Sequence, residues 1–235
     1  MQDLDAPGAT SVHVWVAPLS VAPPRRDALV ACLDAAERAR AKRYRDQDDA
    51  DAFSVARGWL RHVLATAIAT PAAEIDIVGA PGKPRLGAGT LCFNLSRTAG
   101  LALIAVSARE VGVDVEHRDH GQRGLDAMTL ACSPAEAAAI DALSPQDRDE
   151  AFLRRWTAKE AYLKARGIGL SLAPDRIGVG AAPAGAPAPV QVAGQPARPR
   201  WWVRELRPGP SYVAAVAAEG RDWTVILRRA TDLVP

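Results

Sequence analysis

The chain has 235 residues, of which 49% are hydrophobic and 24% are charged, and its formal net charge is +2. These values are typical of a globular protein that buries a core, and they exclude a disordered or collagen-like chain. The small net charge does not indicate a nucleic-acid partner, and no apolar run is long enough for a membrane-spanning helix.

The cysteines and the N-terminal residues bear on the compartment. Cys32, Cys92 and Cys132 lie far apart and show neither metal-ligand spacing nor a disulfide framework. The N-terminus lacks the basic and apolar segments of a signal peptide. We therefore expect a cytoplasmic protein of a reducing environment, without a membrane partner.

The first half of the chain mixes strand and helix patterns. Val12–Val16 alternates as a strand does, and apolar spacing over about 26–44 predicts a helix. A second helix is predicted to be capped by Asp48 or Asp49 and to end at Pro71. Four further strands are predicted at Glu74–Val78, Leu91–Leu95, Leu101–Ser107 and Val111–Glu116.

The second half carries two helix signals before its last strands. Ser133 and Glu136 form the signature of a helix N-terminus, and a longer helix over about 147–165 is expected to stop at Gly167. Residues 178–199 are rich in Ala, Gly and Pro, which predicts a long surface loop. A terminal antiparallel set is predicted from Trp201–Leu206, Tyr212–Ala218 and Trp223–Arg228.

A weak internal repeat indicates how these elements are grouped. Residues 210–218 echo residues 99–107, so each half of the chain would contain helices and a similar strand. The repeat favours an α+β fold made of two similar halves over one doubly wound sheet. We expect the division at residues 1–108 and 109–235.

The segment Val111-Gly-Val-Asp-Val-Glu116 is the first whose residues indicate a chemical role. Side chains alternate along a strand, so Gly112, Asp114 and Glu116 share one face. Two neighbouring carboxylates repel each other, and a divalent cation would relieve the repulsion. The absent side chain of Gly112 would leave room for a ligand. A strand with one solvated polar face is the alternative.

A second segment, Phe152 to Lys164, places acidic and basic groups on one helical stripe. Phe152, Trp156, Glu160 and Lys164 recur at four-residue steps. Because the stripe begins with two aromatic residues, it should face the interior and carry Glu160 and Lys164 toward an enclosed space. Acidic magnesium ligands near a lysine suit phosphoryl chemistry. An ordinary surface ion pair between Glu160 and Lys164 is the alternative.

Basic residues are scattered through the first half of the chain. Charge runs are usually solvated helix faces, but a few of these residues could converge on one polyphosphate. The residues are Arg38, Arg40, Lys42, Arg43, Arg57, Arg61, Lys83 and Arg97. The four histidines show no ligand spacing. The sequence contains neither the phosphate-binding loop Gly-x-x-x-x-Gly-Lys-Ser/Thr nor the nucleophile elbow Gly-x-Ser-x-Gly.

Taken together and in this order, these segments resemble the Sfp-type 4′-phosphopantetheinyl transferases. The matching motifs are Glu37-Arg-Ala-Arg-Ala-Lys-Arg-Tyr44, Arg57-x-x-Leu-Arg61, Gly82-Lys-Pro84, Phe93-Asn-Leu-Ser96, Gly112-Val-Asp-Val-Glu116, Phe152-x-x-x-Trp156-Thr-Ala-Lys-Glu-Ala-Tyr-Leu-Lys164 and Gly167-x-Gly169-Leu170. The match runs from about residue 10 to residue 218. Arg97 departs from the family pattern, because many relatives have a histidine there.

The resemblance implies a fold and an activity. The family is a pseudo-twofold monomer of two α+β halves with coenzyme A in the cleft between them. It moves the phosphopantetheine arm of coenzyme A to a serine of an apo acyl or peptidyl carrier protein, and it releases adenosine 3′,5′-bisphosphate. Such carriers serve fatty-acid, polyketide and nonribosomal-peptide biosynthesis.

The resemblance also implies roles for single residues. Asp114, Glu116 and Glu160 would hold Mg²⁺, or Mn²⁺ in its place, against the pyrophosphate. Glu160 would take or orient the serine proton, and Lys164 would act on the charge of the leaving group. The candidate contacts to coenzyme A are Arg40, Arg57, Lys83, Ser96, Arg97, Asp114 and Lys164. Glu136 matches a further family acid near the metal, or it forms only a helix cap.

Two other functions stay open from the residues alone. One is a different magnesium-dependent enzyme of nucleotide phosphates, such as a hydrolase. The other is a carrier-binding module without catalysis, against which the four intact residues Asp114, Glu116, Glu160 and Lys164 argue.

Overall fold

The computed structural model describes residues 7–79, 82–120, 131–182, 185–195 and 198–233. Its α-helices are α1 (Pro23–Ala31), α2 (Ala35–Ala41), α3 (Gln47–Ile68), α4 (Pro134–Asp141) and α5 (Pro145–Arg166). Its strands are β1 (Ser11–Pro18), β2 (Ile77–Val78), β3 (Arg85–Leu86), β4 (Cys92–Thr98), β5 (Leu101–Ser107), β6 (Val111–His117), β7 (Ile177–Val179), β8 (Ala188–Val192), β9 (Trp201–Leu206), β10 (Tyr212–Glu219) and β11 (Thr224–Arg229). None of the helices in these described ranges is long and apolar enough to cross a membrane.

The first sheet has the strand order β11-β1-β5-β4 and packs against α3. The side chain of Asp46 accepts hydrogen bonds from the backbone N–H groups of Asp48 and Asp49 and so starts α3. From this helix Trp59, Leu60 and Leu64 are fully buried against the sheet. Burial of this apolar face, more than helix propensity, holds α3 in place.

The second sheet has the order β6-β10-β9-β8-β7, and α5 packs across it. Pro145 occupies the first turn of α5, and Gly167 ends the helix with a positive φ of 64°. Tyr162 and Leu163 are buried against the sheet. The helix therefore lies over the strand that carries Asp114.

The two sheets share an apolar core. Val14 and Leu103 from the first sheet lie in one cluster with Val113 and Val216 from the second. All four side chains are fully buried. The α+β architecture expected from the sequence is confirmed, and each sheet has its own long helix, α3 or α5.

Several predicted elements agree closely with the structure. Leu101–Ser107 and Trp201–Leu206 are strands with the predicted bounds. Ser133 and Glu136 form the full capping box at the start of α4, as predicted. The helix ended by Gly167 is α5. These elements have strong local signals, namely alternation, a cap or a terminating glycine.

Other predictions near the N-terminus were wrong in detail. The single helix over 26–44 is two helices, because Asp34 and Glu37 form a capping box that starts α2 anew. The N-cap of α3 is Asp46, which precedes the predicted caps Asp48 and Asp49 in the chain. Only Ile77–Val78 of the predicted strand is extended, since residues 72–74 form a 3₁₀ turn.

The end of the chain also differs from expectation. The predicted loop over 178–199 contains β7 and β8, which pair antiparallel with Val179 opposite Val190. β11 does not join the terminal antiparallel set but pairs parallel with β1 in the first sheet. The division at residue 108 stays a prediction. β11 follows residue 108 in the chain, yet it belongs to the first sheet, whose other strands β1, β5 and β4 precede that residue.

Candidate functional site

Asp114 lies at the centre of a small buried network. It is only 3% exposed on β6, and its Oδ1 accepts hydrogen bonds from Ser96 Oγ at 2.8 Å and from Lys164 Nζ at 2.5 Å. Lys164 Nζ also lies 2.9 Å from Ser96 Oγ. Asp114 Oδ2 is buried and has no hydrogen-bond partner among the described residues. A buried carboxylate oxygen without a partner is costly unless a ligand or ion completes it.

The close approach of α5 to β6 brings Lys164 to Asp114. Gly112 faces the helix backbone, and a Cβ built on it would lie 2.2 Å from Ala161 O and 2.2 Å from Ala165 N. The helix can therefore lie where it does only because residue 112 has no side chain. The sequence-based interpretation that this space would serve a ligand was wrong, since the backbone of α5 fills it.

Glu160 is half-buried one turn before Lys164 on the same helix. Burial raises the pKa of its carboxyl, and the nearby charge of Asp114 raises it further. Lys164 opposes this shift in the pKa of Glu160, while Glu116 adds to it. Asp114, Glu116 and Lys164 all influence the pKa of Glu160, so the strand face and the helical stripe lie in one electrostatic environment, as the family resemblance implied.

The acidic residues fit a divalent cation by their chemistry. In the part of the chain that the structure describes, no three His, Cys, Asp or Glu side chains are gathered into a complete metal site. The Lys164 ammonium is the positive charge that compensates Asp114 here. The unpartnered Asp114 Oδ2 and the repulsion that raises the pKa of Glu160 are both features that a hard cation would satisfy.

A cavity of about 890 Å³ lies at the surface of the first half, between α2, α3 and the β2–β3 hairpin. Its lining includes Arg40, Arg43, Tyr44, Phe53, Arg57 and Gly82. The Arg40 guanidinium lies over the Phe53 ring at 5.2 Å from the ring centroid. Stacking surfaces beside guanidinium groups suit a nucleotide with phosphates. We call this space the arginine cavity.

Besides Ser96, Asp114 and Lys164, three more of the predicted coenzyme A contacts have protein partners in the structure. Arg57 Nε donates to Glu37 Oε1 at 2.5 Å, and Arg97 donates to the Tyr44 hydroxyl at 3.2 Å. Lys83 Nζ donates to Glu110 Oε2 at 2.5 Å and to Ala165 O at 2.7 Å. Lys83 thereby links the β2–β3 hairpin to the C-terminal end of α5, and burial lowers its pKa.

Glu136 is held within its own helix cap and by two cations. Its carboxylate accepts from the backbone N–H of Ser133 and from Lys159 Nζ at 2.6 Å, and Arg155 lies at 3.6 Å. Lys159 is fully buried and also donates to Ala131 O. The capping explanation of Glu136 is confirmed, and its relation to a metal stays a prediction.

Sequence reasoning did not predict the structural role of two residues that organise the site. Arg61 is 1% exposed and donates to Asp34 Oδ2 and Glu37 Oε2, which anchors α2 beside the arginine cavity. Asn94 Oδ1 accepts from the backbone N–H of Val113 on β6. The four-residue spacing of Arg57 and Arg61 was a usable signal for the first, whereas nothing in the sequence pointed to the contact of Asn94.

Comparison with known proteins identifies the family. The model of the 4′-phosphopantetheinyl transferase superfamily matches residues 110–217. The 4′-phosphopantetheinyl transferase HetI of Nostoc sp. is 34% identical over 221 residues, which cover 90% of this chain and 89% of HetI. The chain belongs to the 4′-phosphopantetheinyl transferase family. The 4′-phosphopantetheinyl transferase of Bacillus subtilis is 29% identical over 155 residues, covering 65% of this chain and 68% of that protein.

The family model covers the elements that form the site. Residues 110–217 include β6 with Asp114 and Glu116 and α5 with Glu160 and Lys164. The resemblance drawn from the sequence motifs, and with it the prediction of an enzyme of this family, are confirmed. The roles of single residues stay predictions.

Proposed function

We propose that this site transfers the 4′-phosphopantetheine arm of coenzyme A to a serine of an apo acyl or peptidyl carrier protein, with Mg²⁺ bound. The buried network of Asp114, Ser96 and Lys164 beside the carboxyl of Glu160 is the observation that carries the proposal. Such a network joins a carboxylate with an unpartnered oxygen, an ammonium and a carboxyl of raised pKa, and phosphoryl transfer depends on charged groups positioned in this way.

The N-terminal half is proposed to bind the nucleotide. Arg40 and Arg57 line the arginine cavity, where their guanidinium groups can bind phosphate oxygens. Arg97 on β4 can add a charge that does not depend on pH near neutrality, unlike the histidine of many relatives. Lys83 and Ser96 would contact the phosphates only after exchanging part of their present hydrogen bonds.

The C-terminal half is proposed to perform the transfer. The serine oxygen of the carrier forms a bond to the phosphorus next to the pantetheine, and the bond from that phosphorus to the leaving adenosine 3′,5′-bisphosphate breaks. Glu160 takes the serine proton or orients the base that takes it, and in the metal-free protein burial raises the pKa of its carboxyl. Lys164 stabilises the charge that develops on the leaving oxygen. Its long side chain is 30% exposed and can therefore reach that oxygen.

Asp114, Glu116 and Glu160 are the residues proposed to hold Mg²⁺. When bound there, the ion would neutralise the pyrophosphate charge and orient it. Asp114 brings a buried oxygen that has no partner among the described residues, and Ser96 keeps the other oxygen oriented. We further propose a monomeric, cytoplasmic enzyme, in keeping with its three free cysteines.

The test mixes the purified protein with coenzyme A, Mg²⁺ and a panel of apo-carrier proteins. Transfer should add the mass of one phosphopantetheinyl group to a carrier and release adenosine 3′,5′-bisphosphate. Asp114→Ala should abolish transfer without unfolding the protein, whereas Asp175→Ala, which removes an exposed carboxylate, should not. Cleavage of coenzyme A without a modified carrier would indicate a hydrolase, and carrier binding without cleavage would indicate a binding module.

A further inference from the structure

β4 and β6 are the outer strands of their respective sheets, and they lie side by side where the two halves meet. In the described part of the chain they are not neighbours in either sheet, so no backbone ladder joins them. An outer strand presents backbone groups that need partners when they are buried. We call the boundary between β4 and β6 the seam.

Side chains at alternate positions of β4 cross the seam. Asn94 Oδ1 accepts from the Val113 backbone N–H at 2.9 Å. Ser96 Oγ donates to Asp114 Oδ1 at 2.8 Å. Thr98 Oγ1 accepts from the His117 backbone N–H at 3.2 Å. Because side chains alternate along a strand, these three contacts come from one face of β4, and they reach β6 at Val113, Asp114 and His117.

The register across the seam decides whether Asp114 reaches the site. Along β6, Asp114 lies between Val113 and Val115, which are buried in the shared core. A slip of one residue would exchange an acidic for an apolar side chain opposite Ser96. Ser96 binds a side chain of β6, whereas Asn94 binds the backbone of β6 at Val113 and therefore holds the strand itself. Asn94 is 7% exposed and Val113 is fully buried, so water cannot easily replace this hydrogen bond.

We propose that Asn94 is a positioning residue for the transfer reaction. By holding the backbone of β6 at Val113, it keeps Asp114 facing Ser96 and Lys164. Thr98 supports the same register from the far end of the strand. The inference rests on the proposed function of Asp114, but it concerns a residue outside the proposed contacts to the nucleotide and the metal.

The test replaces Asn94 by leucine, which has a similar size but no acceptor. We expect Asn94→Leu to lower kcat by about 10²-fold, the effect of a displacement of about 1 Å in a reacting geometry. The Kd of Mn²⁺, measured by paramagnetic resonance without substrate, should rise by about tenfold or more, since one ligand is displaced. The Kd of adenosine 3′,5′-bisphosphate should stay unchanged, because the lining of the arginine cavity comes from α2, α3, the β2–β3 hairpin and neighbouring turns and includes no residue of β4 or β6.

Two further variants test whether the effects of Asn94→Leu come from a general loss of folding. Thr98→Val removes a half-buried contact and should fold, with changes in kcat and Mn²⁺ affinity of the same direction and smaller size. Val63→Ala creates a cavity in the core between α3 and the first sheet and removes none of the hydrogen bonds across the seam. It should lower the melting temperature while leaving kcat and both Kd values at the wild-type level below the melting range.

The outcomes separate the possibilities. Wild-type kcat and Mn²⁺ affinity in Asn94→Leu and Thr98→Val would overturn the proposal. Equal weakening of metal and nucleotide binding would also overturn it, since Asn94 would then support the whole fold. If the wild-type protein transfers nothing to any carrier, the proposed function fails, whereas the Mn²⁺ measurements still decide the role of Asn94.

Discussion

The packing of α5 on β6 leads to a specific prediction for Gly112→Ala. The new Cβ would lie 2.2 Å from both Ala161 O and Ala165 N, which belong to the helix backbone. Non-bonded atoms at contact lie about 3.5 Å apart, so the helix would have to retreat by roughly 1 Å. No side-chain rotation can relieve this clash, because both atoms are main-chain atoms.

The retreat would act on stability and on turnover. Overpacking of this kind costs about 1–3 kcal/mol of the free energy of unfolding. Since Lys164 and Glu160 move with α5 while Asp114 stays on β6, the 2.5 Å contact between Lys164 and Asp114 would be lost or reshaped. A displacement of about 1 Å in the reacting geometry lowers kcat by about 10²-fold. We therefore expect a folded but nearly inactive variant.

Steady-state transfer kinetics below the melting range, together with thermal unfolding, measure both effects. Gly178→Ala is the matched control, because this glycine lies on β7 of the same sheet and its new Cβ would meet only Gln191 O at 3.8 Å. It should keep the wild-type kcat. Wild-type turnover in Gly112→Ala would refute the reasoning, because the approach of α5 would then not set the geometry of the site.

The other predictions concern charge. Lys164→Ala should lower kcat and kcat/KM for coenzyme A together, each by about 10²-fold or more, and a raised KM at unchanged kcat would contradict its role. Burial and Asp114 raise the pKa of Glu160, so in the metal-free protein the free energy of unfolding should fall as pH rises through that pKa; urea unfolding should show the fall, and Glu160→Gln should remove it. Arg61→Met removes the buried cation that Asp34 and Glu37 share, leaving Arg57 on Glu37, and should cost about 3 kcal/mol in urea unfolding, so a loss below about 1 kcal/mol would mean that the network is dispensable. Mn²⁺ should support transfer better than Ca²⁺ in the carrier assay, because the larger ion fits octahedral geometry poorly, and equal rates would argue against the metal site.

The sequence alone determined the features that depend on local geometry. The two-residue period of a strand is enough to put Asp114 and Glu116 on one face, and the helical period is enough to align Glu160 with Lys164. The capping box at Ser133 is likewise a property of four consecutive residues. These patterns, in their order along the chain, also carried the family, which the comparisons confirmed.

Only the tertiary structure decided which of these elements meet. The space beside Gly112 is filled by a helix that begins more than thirty residues later in the chain, and β11 returns to pair with β1. The contact of Asn94 with Val113 joins two outer strands of different sheets. Such contacts depend on which surfaces become adjacent when the core is buried. The spacing of residues along the chain does not reveal which surfaces these are.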